Sequence, residues 1–482
     1  MARLLVGRVG QYAVANGLPA VVNFGGMLVL THLLSPAEYG TYALVLASVA
    51  VVNAIAFQWL RSGARRFLAA GEHLRAEVLP TIGVAYGTIV LVAAGVILLA
   101  VPVLRSHVTS ALLLLGGCLL VVQTWYELNT EIVLAEINPS RYGAVALSRA
   151  LIAAGLGVTL CWLGFGATGA LVGAIAGFTL PGLALCRLYW RGLGRLASSR
   201  SLLTSLLAYG GPLTASYALQ FVMDSADRLL LGWLASTAAV GIYAVAYDLS
   251  QQSINFAMVA VNLAAFPMAV RALETESREA ALAQLRIQIV LLALLALPGA
   301  VGLTLLAPQI GTTLLGERFS SSAAALVPII VAGAACCGFK AFYFDLAFQL
   351  AKQTRPLILI GAVGAVLNTV LNLLLIPGHG PAGAAIASTA TFAVALLASA
   401  ALGRPLFPLP FPWIELAKVG LITLVMALIV KLVSLPLSGS LALWIPLAAG
   451  IAVVAAGTLT LDVAGARRWW SMRPAVERPG RG

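Results

Sequence analysis

Ionisable and amide side chains recur at helical spacing inside an otherwise apolar stretch of this sequence, Tyr209 to Pro267. Gln220, Asp224, Asp227 and Arg228 share one helical face, set by spacings of three and four. Asp248, Gln251, Gln252, Asn255 and Asn262 make a second stripe after a short turn, Ser236 to Gly241. Asp224 and Asp248 lie equally far from the middle of that turn, so a tight hairpin holds them at one depth. Carboxylates, amides and a guanidinium on such faces can bind a cation, pass a proton or hydrogen-bond a polar substrate. Charges are costly in lipid and normally face a bundle interior or a water-filled cavity. The stripes therefore predict a polar cavity within a membrane protein.

The same chemistry appears elsewhere on apolar segments. Gln123, Glu127 and Glu131 form a stripe whose carboxylates can carry protons or Na⁺, or be neutral and hydrogen-bonded. Lys340 offers a point charge for an anionic headgroup; snorkelling or pairing with Asp345 is its structural alternative. Asn16 shares a face with Asn23, and Asn368 with Asn372; amides suit sugar hydroxyls and also join helices. Asp224, Asp227 and Arg228 can equally close a structural ion pair along the helix face, with Arg228 neutralising a carboxylate. Arg61, Arg65 and Arg66 read as signals of topology rather than as substrate contacts.

Elements that position such residues must cross a bilayer. The 482 residues are 61% hydrophobic and only 10% charged, which leaves too little polar surface for a soluble protein. The net charge of +12 sits at the ends of apolar runs, which points to anionic lipid and away from nucleic acid. Cys118, Cys161, Cys186, Cys336 and Cys337 lie in apolar runs without metal-ligand or CxxC spacing, and read as small buried residues. Loops are too short for a catalytic domain and carry no nucleotide or metal motif, so an enzyme is not expected. No cofactor is expected beyond an H⁺ or Na⁺ coupling ion.

The fold class is all-α and membrane-integral, with about fourteen helices of about 20 residues each. An N-terminus placed inside puts most of the 29 Lys and Arg at cytoplasmic ends, with both termini there. The sequence also repeats. Ser35 to Ala43 resembles Ser236 to Ala244 at an offset of 201, which sets Asn23 opposite Asp224. Gly166 to Ala170 resembles Gly380 to Ala384 at an offset of 214, which sets Glu131 opposite Asp345. Two six-helix lobes, 1–200 and 201–403, are expected, followed by a helix pair at 404–462 and a basic tail at 463–482. Pro405, Pro408, Pro410 and Pro412 keep the link to that pair out of regular helix.

Leu33 to Tyr42, Asp227 to Gly232 with Val240 to Tyr243, and Asn368 to Ala385 resemble, in order and spacing, the polysaccharide-transporter (Wzx-like oligosaccharide flippase) family. That family belongs to the multidrug/oligosaccharidyl-lipid/polysaccharide exporter superfamily. The resemblance implies two lobes, alternating access, and movement of an undecaprenyl-diphosphate-linked oligosaccharide across a bacterial inner membrane. It also implies company with a polysaccharide polymerase and glycosyltransferases. A cation-coupled multidrug exporter and a lipid II flippase are the alternatives within the superfamily.

Overall fold

Long apolar runs give helix almost everywhere among the described residues, through internal prolines such as Pro181, Pro212 and Pro298. The computed structural model describes the backbone of residues 2–68, 75–104, 109–136, 138–191, 199–435, 437 and 439–467. Within these it leaves out the side chains of 2–14, 16, 75, 76, 100–104, 213, 215, 216 and 220–224. The helices are α1 (Ala2–Leu33), α2 (Pro36–Ala56), α3 (Gln58–Leu68), α4 (Arg75–Leu104), α5 (Ser110–Ala135), α6 (Pro139–Leu160) and α7 (Gly166–Tyr189). They continue with α8 (Arg200–Leu234), α9 (Thr237–Thr275), α10 (Arg278–Leu314), α11 (Glu317–Phe339), α12 (Leu346–Leu350), α13 (Arg355–Gly403), α14 (Trp413–Ser434) and α15 (Leu441–Thr460). Among the described residues there is no strand.

Among the described residues, ten helical stretches are long and apolar enough to cross a membrane. Two of them, Pro139–Tyr189 and Arg355–Gly403, are helix pairs. Asn368 and Ser388 would stand about 30 Å apart on a straight helix, yet their side chains bond at 3.2 Å, so α13 reverses between them. The reversal falls at Gly380 (φ 54°, ψ −130°), and Gly166 has nearly the same backbone (φ 53°, ψ −138°). Such angles are all but closed to residues with a Cβ. With each pair counted as two and the long helices α1 and α8 added, the helix count is roughly consistent with the expected fourteen.

The break after α2 was not expected. A span over 40–61 is the sequence reading, but helix α2 stops at Ala56 and α3 begins at Gln58. Arg61, Arg65 and Arg66 thus ride on a separate short helix.

Packing gives two compact units. One comprises Met1–Tyr247, Leu315–Leu326 and Ile358–Thr391; the other Asp248–Leu314, Val327–Leu357 and Phe392–Gly482. These boundaries do not follow the lobes 1–200 and 201–403 read from the repeat, which stay a proposal. Part of the reason is that α8 packs on α2 and α3: a Cβ on Gly210 would stand 2.2 Å from Trp59 O, and one on Gly63 2.6 Å from Leu206 Cδ2.

The first unit is built around Phe57, Leu60, Ile82, Leu119, Leu128 and Leu171, all nearly sealed from solvent. Its two repeat turns share a cap. Glu38 N donates to Ser35 Oγ at 3.3 Å, and Ala239 N donates to Ser236 Oγ at 3.1 Å. The turns also touch each other through their glycines. A Cβ on Gly40 would stand 1.7 Å from Thr237 O, and one on Gly241 2.0 Å from Pro36 O. The offset of 201 maps each contact onto the other, so the repeat is visible as a reciprocal backbone contact.

In the second unit, α10 packs on α14, and α14 on α15. The proline-rich link is tied down by the Tyr343 hydroxyl, which donates to Pro410 O, and by the Arg278 guanidinium 5.1 Å above the Phe407 ring. A single π-turn, Lys340–Phe344, joins α11 to Asp345 and α12.

Candidate functional site

Among the described residues, three centres with a carboxylate at their heart stand out within the apolar packing. The first is Asp227 on α8, only 1% exposed. Its Oδ2 accepts from the Tyr243 hydroxyl of α9 (2.5 Å) and from the Ser388 hydroxyl of α13, and its Oδ1 accepts from Asn372 Nδ2 at 2.7 Å. Asn368 backs this ring: its Oδ1 accepts from Asn372 (3.0 Å) and its amide donates to Ser388 Oγ. The reversal at Gly380 is what puts Ser388 beside Asn368 and Asn372. The Tyr243, Ser388 and Asn372 donors to this carboxylate are all neutral. Arg228 lies over the Tyr247 ring at 5.2 Å. One acceptor, Asn372 Oδ1, is enclosed without a hydrogen-bond partner among the described residues. The carboxylate is met by two hydroxyls and one amide N–H, with the amide oxygens of Asn368 and Asn372 in the same cluster. Such a group of oxygens can take a proton or, with the donors turned away, a small hard cation.

The second centre lies where α2, α3 and α5 meet in the same unit. Glu127 accepts from Asn53 Nδ2 (2.7 Å), Gln123 Nε2 (2.9 Å) and the Arg61 guanidinium, whose other nitrogen donates to Gln58. One turn further on, Arg65 grips Glu131 with two bonds, Nε to Oε2 at 2.5 Å and Nη2 to Oε1 at 2.7 Å. Those bonds hold the Arg65 guanidinium above its usual pKa range. Arg66 stacks 5.8 Å from the Tyr209 ring. Arg61 and Arg65 are thus the counter-ions of Glu127 and Glu131. The sequence leaves these carboxylates as carriers of protons or Na⁺ or as neutral hydrogen-bonded groups; the structure shows both of them ion-paired.

The third centre belongs to the second unit. The π-turn closes with Asp345 N donating to Lys340 O at 2.9 Å, and this fifth-residue register brings Lys340 Nζ to Asp345 Oδ2 at 2.8 Å. Ser399 donates to Asp345 Oδ1 at 2.7 Å. The pairing alternative for Lys340 is the one observed. Buried Gln288 Nε2 donates to Asn262 Oδ1 (3.2 Å) and to Phe342 O (2.9 Å) within this turn. Asn255 donates to Gln251 at 3.0 Å along α9, and Asp248 is half-buried.

Asn23 is half-buried on α1. The side chains of Asp224, Gln220 and Asn16 lie outside the described residues. Asn53, Gln58, Tyr243, Ser388 and Ser399 were not foreseen. Single amides and hydroxyls on apolar helices give no signal of their own. The two arginine pairs did leave one: Arg61 to Arg65 and Glu127 to Glu131 are both steps of four, so opposite stripes of one period could be matched.

Residues 29–324 match the family model described as polysaccharide biosynthesis protein, more than half of the chain. The chain belongs to that family. No curated protein matches this polysaccharide biosynthesis protein significantly by sequence. Among solved structures, a lipid II flippase, MurJ, in an inward closed conformation has a TM-score of 0.77 at 13% identity, over 95% of this chain and 99% of that one. An inward-facing multidrug resistance transporter of the MATE family and MOP superfamily scores 0.64 at 14% identity, over 85% and 99%. A MOP superfamily transporter from Pyrococcus furiosus scores 0.54 at 15% identity, over 86% and 96%. At these identities the likeness shows the fold alone. The fold is that of MOP-superfamily flippases and transporters, and the chain is a multi-pass membrane protein.

Proposed function

We propose that this polysaccharide biosynthesis protein is a flippase that moves an undecaprenyl-diphosphate-linked oligosaccharide, a precursor of surface polysaccharide, across the bacterial inner membrane by alternating access. The observation that carries the reading is the family match over 29–324. A fold shared along 95% of the chain with a protein named as a lipid II flippase supports it. Both termini then face the cytoplasm, in keeping with the basic span ends. A polymerase and glycosyltransferases are the protein partners such a carrier implies.

We assign ion coupling to the Asp227 centre. Asp227, Ser388, Tyr243, Asn368 and Asn372 supply the oxygens that would hold Na⁺, or Asp227 would take a proton. The enclosed Oδ1 of Asn372 is the support for this, because a buried acceptor without a donor marks a missing partner. A bound cation neutralises the carboxylate and ties α8 and α9 to both halves of α13. Lys340, paired with Asp345, is the candidate for the anionic part of the substrate in the second unit.

Glycan export in a strain lacking the gene tests the reading. Export should stop and lipid-linked oligosaccharide should accumulate in the membrane. The wild-type chain should restore export, and Asp227→Asn should not, although it reaches the membrane. Undiminished export in the deletion strain overturns the flippase reading. Full rescue by Asp227→Asn overturns only the coupling assignment.

A further inference from the structure

The centre around Glu127 holds two polar atoms that its internal bonds leave over. Asn53 Nδ2 and an Arg61 terminal nitrogen both donate to Glu127 Oε2, so the two side chains converge on one oxygen. Gln123 takes Oε1 of the same carboxylate. Asn53 is 4% exposed, and its Oδ1 has no partner among the described residues. Arg61 Nε, also enclosed, has none either. An acceptor and a donor therefore stand unpaired beside the same carboxylate. Such atoms are costly unless something fills them.

Their chemistry selects the filler. Asn53 Oδ1 needs a hydrogen to accept, and Arg61 Nε–H needs an oxygen to receive it. A hydroxyl carries both, a hydrogen to give and an oxygen to receive one. A diphosphate diester at neutral pH has no hydrogen to give, and the Glu127 carboxylate repels it. We propose that Asn53, Arg61 and Glu127, with Gln58 and Gln123 holding them in place, form a subsite that receives a sugar hydroxyl of the carried glycan. This rests on the flippase reading above and names the part of the substrate that the site reads. The side chains of Arg61 and Glu127 remain 15% and 24% exposed, so one flank is open to a ligand. The site exists because the helix breaks at Phe57. That break lets Asn53 from α2 and Arg61 from α3 approach one carboxylate on α5.

The test uses the purified full chain in lipid nanodiscs. The probes are farnesyl diphosphates bearing glucose, galactose or N-acetylglucosamine, with the methyl diester of farnesyl diphosphate as the sugar-free counterpart of equal charge. Wild type should bind at least one sugar-bearing probe roughly tenfold tighter than the methyl diester, the scale of one charge-assisted hydrogen bond. Asn53→Ala should bring that ratio to about one. Arg61→Lys, which keeps the positive charge opposite Glu127 but lacks Nε, should lower it too. A ratio unchanged in both variants overturns the subsite, and so does loss of folded protein in both, which assigns the residues to packing. Equal wild-type binding of all four probes also overturns it, leaving the two atoms to water, while the flippase reading stands. Wild type that binds none of the probes removes that reading, and the subsite with it.

Discussion

Asp227 and Glu131 are both buried carboxylates on apolar helices, yet their neighbours give them different work. Asp227 sits among neutral donors, so its charge can change without breaking an ion pair. Glu131 is gripped by a bidentate guanidinium, which holds it in one ion pair. Asp227→Asn keeps the shape of the centre, and the protein should still unfold near the wild-type temperature in detergent. It should lose any rise in that temperature produced by Na⁺. Asp227→Ala should cost stability, about 1–3 kcal/mol for each donor left unpaired. The Arg65–Glu131 pair should respond unequally to truncation. Arg65→Ala leaves a carboxylate that is 10% exposed without its cation, and about 2 kcal/mol should go. Glu131→Gln leaves Arg65, 58% exposed, to water and should cost under about 1 kcal/mol. Thermal melts of the two variants compare them directly. Asp227, Asn368 and Asn372 were legible as stripes because amides and acids stand out against leucine and alanine. Tyr243 and Ser388 were not, since their partner lies 16 and 161 residues away and nothing local marks the bond.

Glycine decides what the helical elements can do. Gly40 and Gly241 let two capped turns meet backbone to backbone, and any Cβ there strikes a carbonyl oxygen. Gly40→Ala or Gly241→Ala should therefore sharply reduce the folded protein recovered from membranes, because backbone cannot swing aside as a side chain can. Gly380→Ala meets no atom within 4 Å, and only its backbone angles object. It should fold, less stable by about 1–3 kcal/mol. Size-exclusion recovery and melting temperature separate the two classes. The turns, the reversals and the repeat were readable because glycine, proline and serine mark them. The break at Phe57 and the π-turn at Lys340 were not. Neither holds a proline or glycine at the break itself, and one extra residue in a helical turn changes no hydropathy.

At the scale of the whole chain, the apolar composition and the basic span ends made a multi-pass membrane protein legible. Its two offsets reappear as reciprocal contacts and matched backbone angles. Packing was not legible at that scale, since the compact units mix segments far apart in sequence. The topology predicts that an impermeant thiol reagent on intact cells labels a lone cysteine placed at Ser236 but not one at Arg195. The reverse pattern would place the termini outside. The most direct measurement of the central claim is transbilayer movement of a fluorescent undecaprenyl-diphosphate-linked oligosaccharide in liposomes holding the purified protein. An imposed Na⁺ or H⁺ gradient should speed that movement severalfold over protein-free liposomes, and Asp227→Asn should abolish the gradient's effect. Movement no faster than in protein-free liposomes, under either gradient and with the lipid-linked glycan isolated from the protein's own host, would contradict the account.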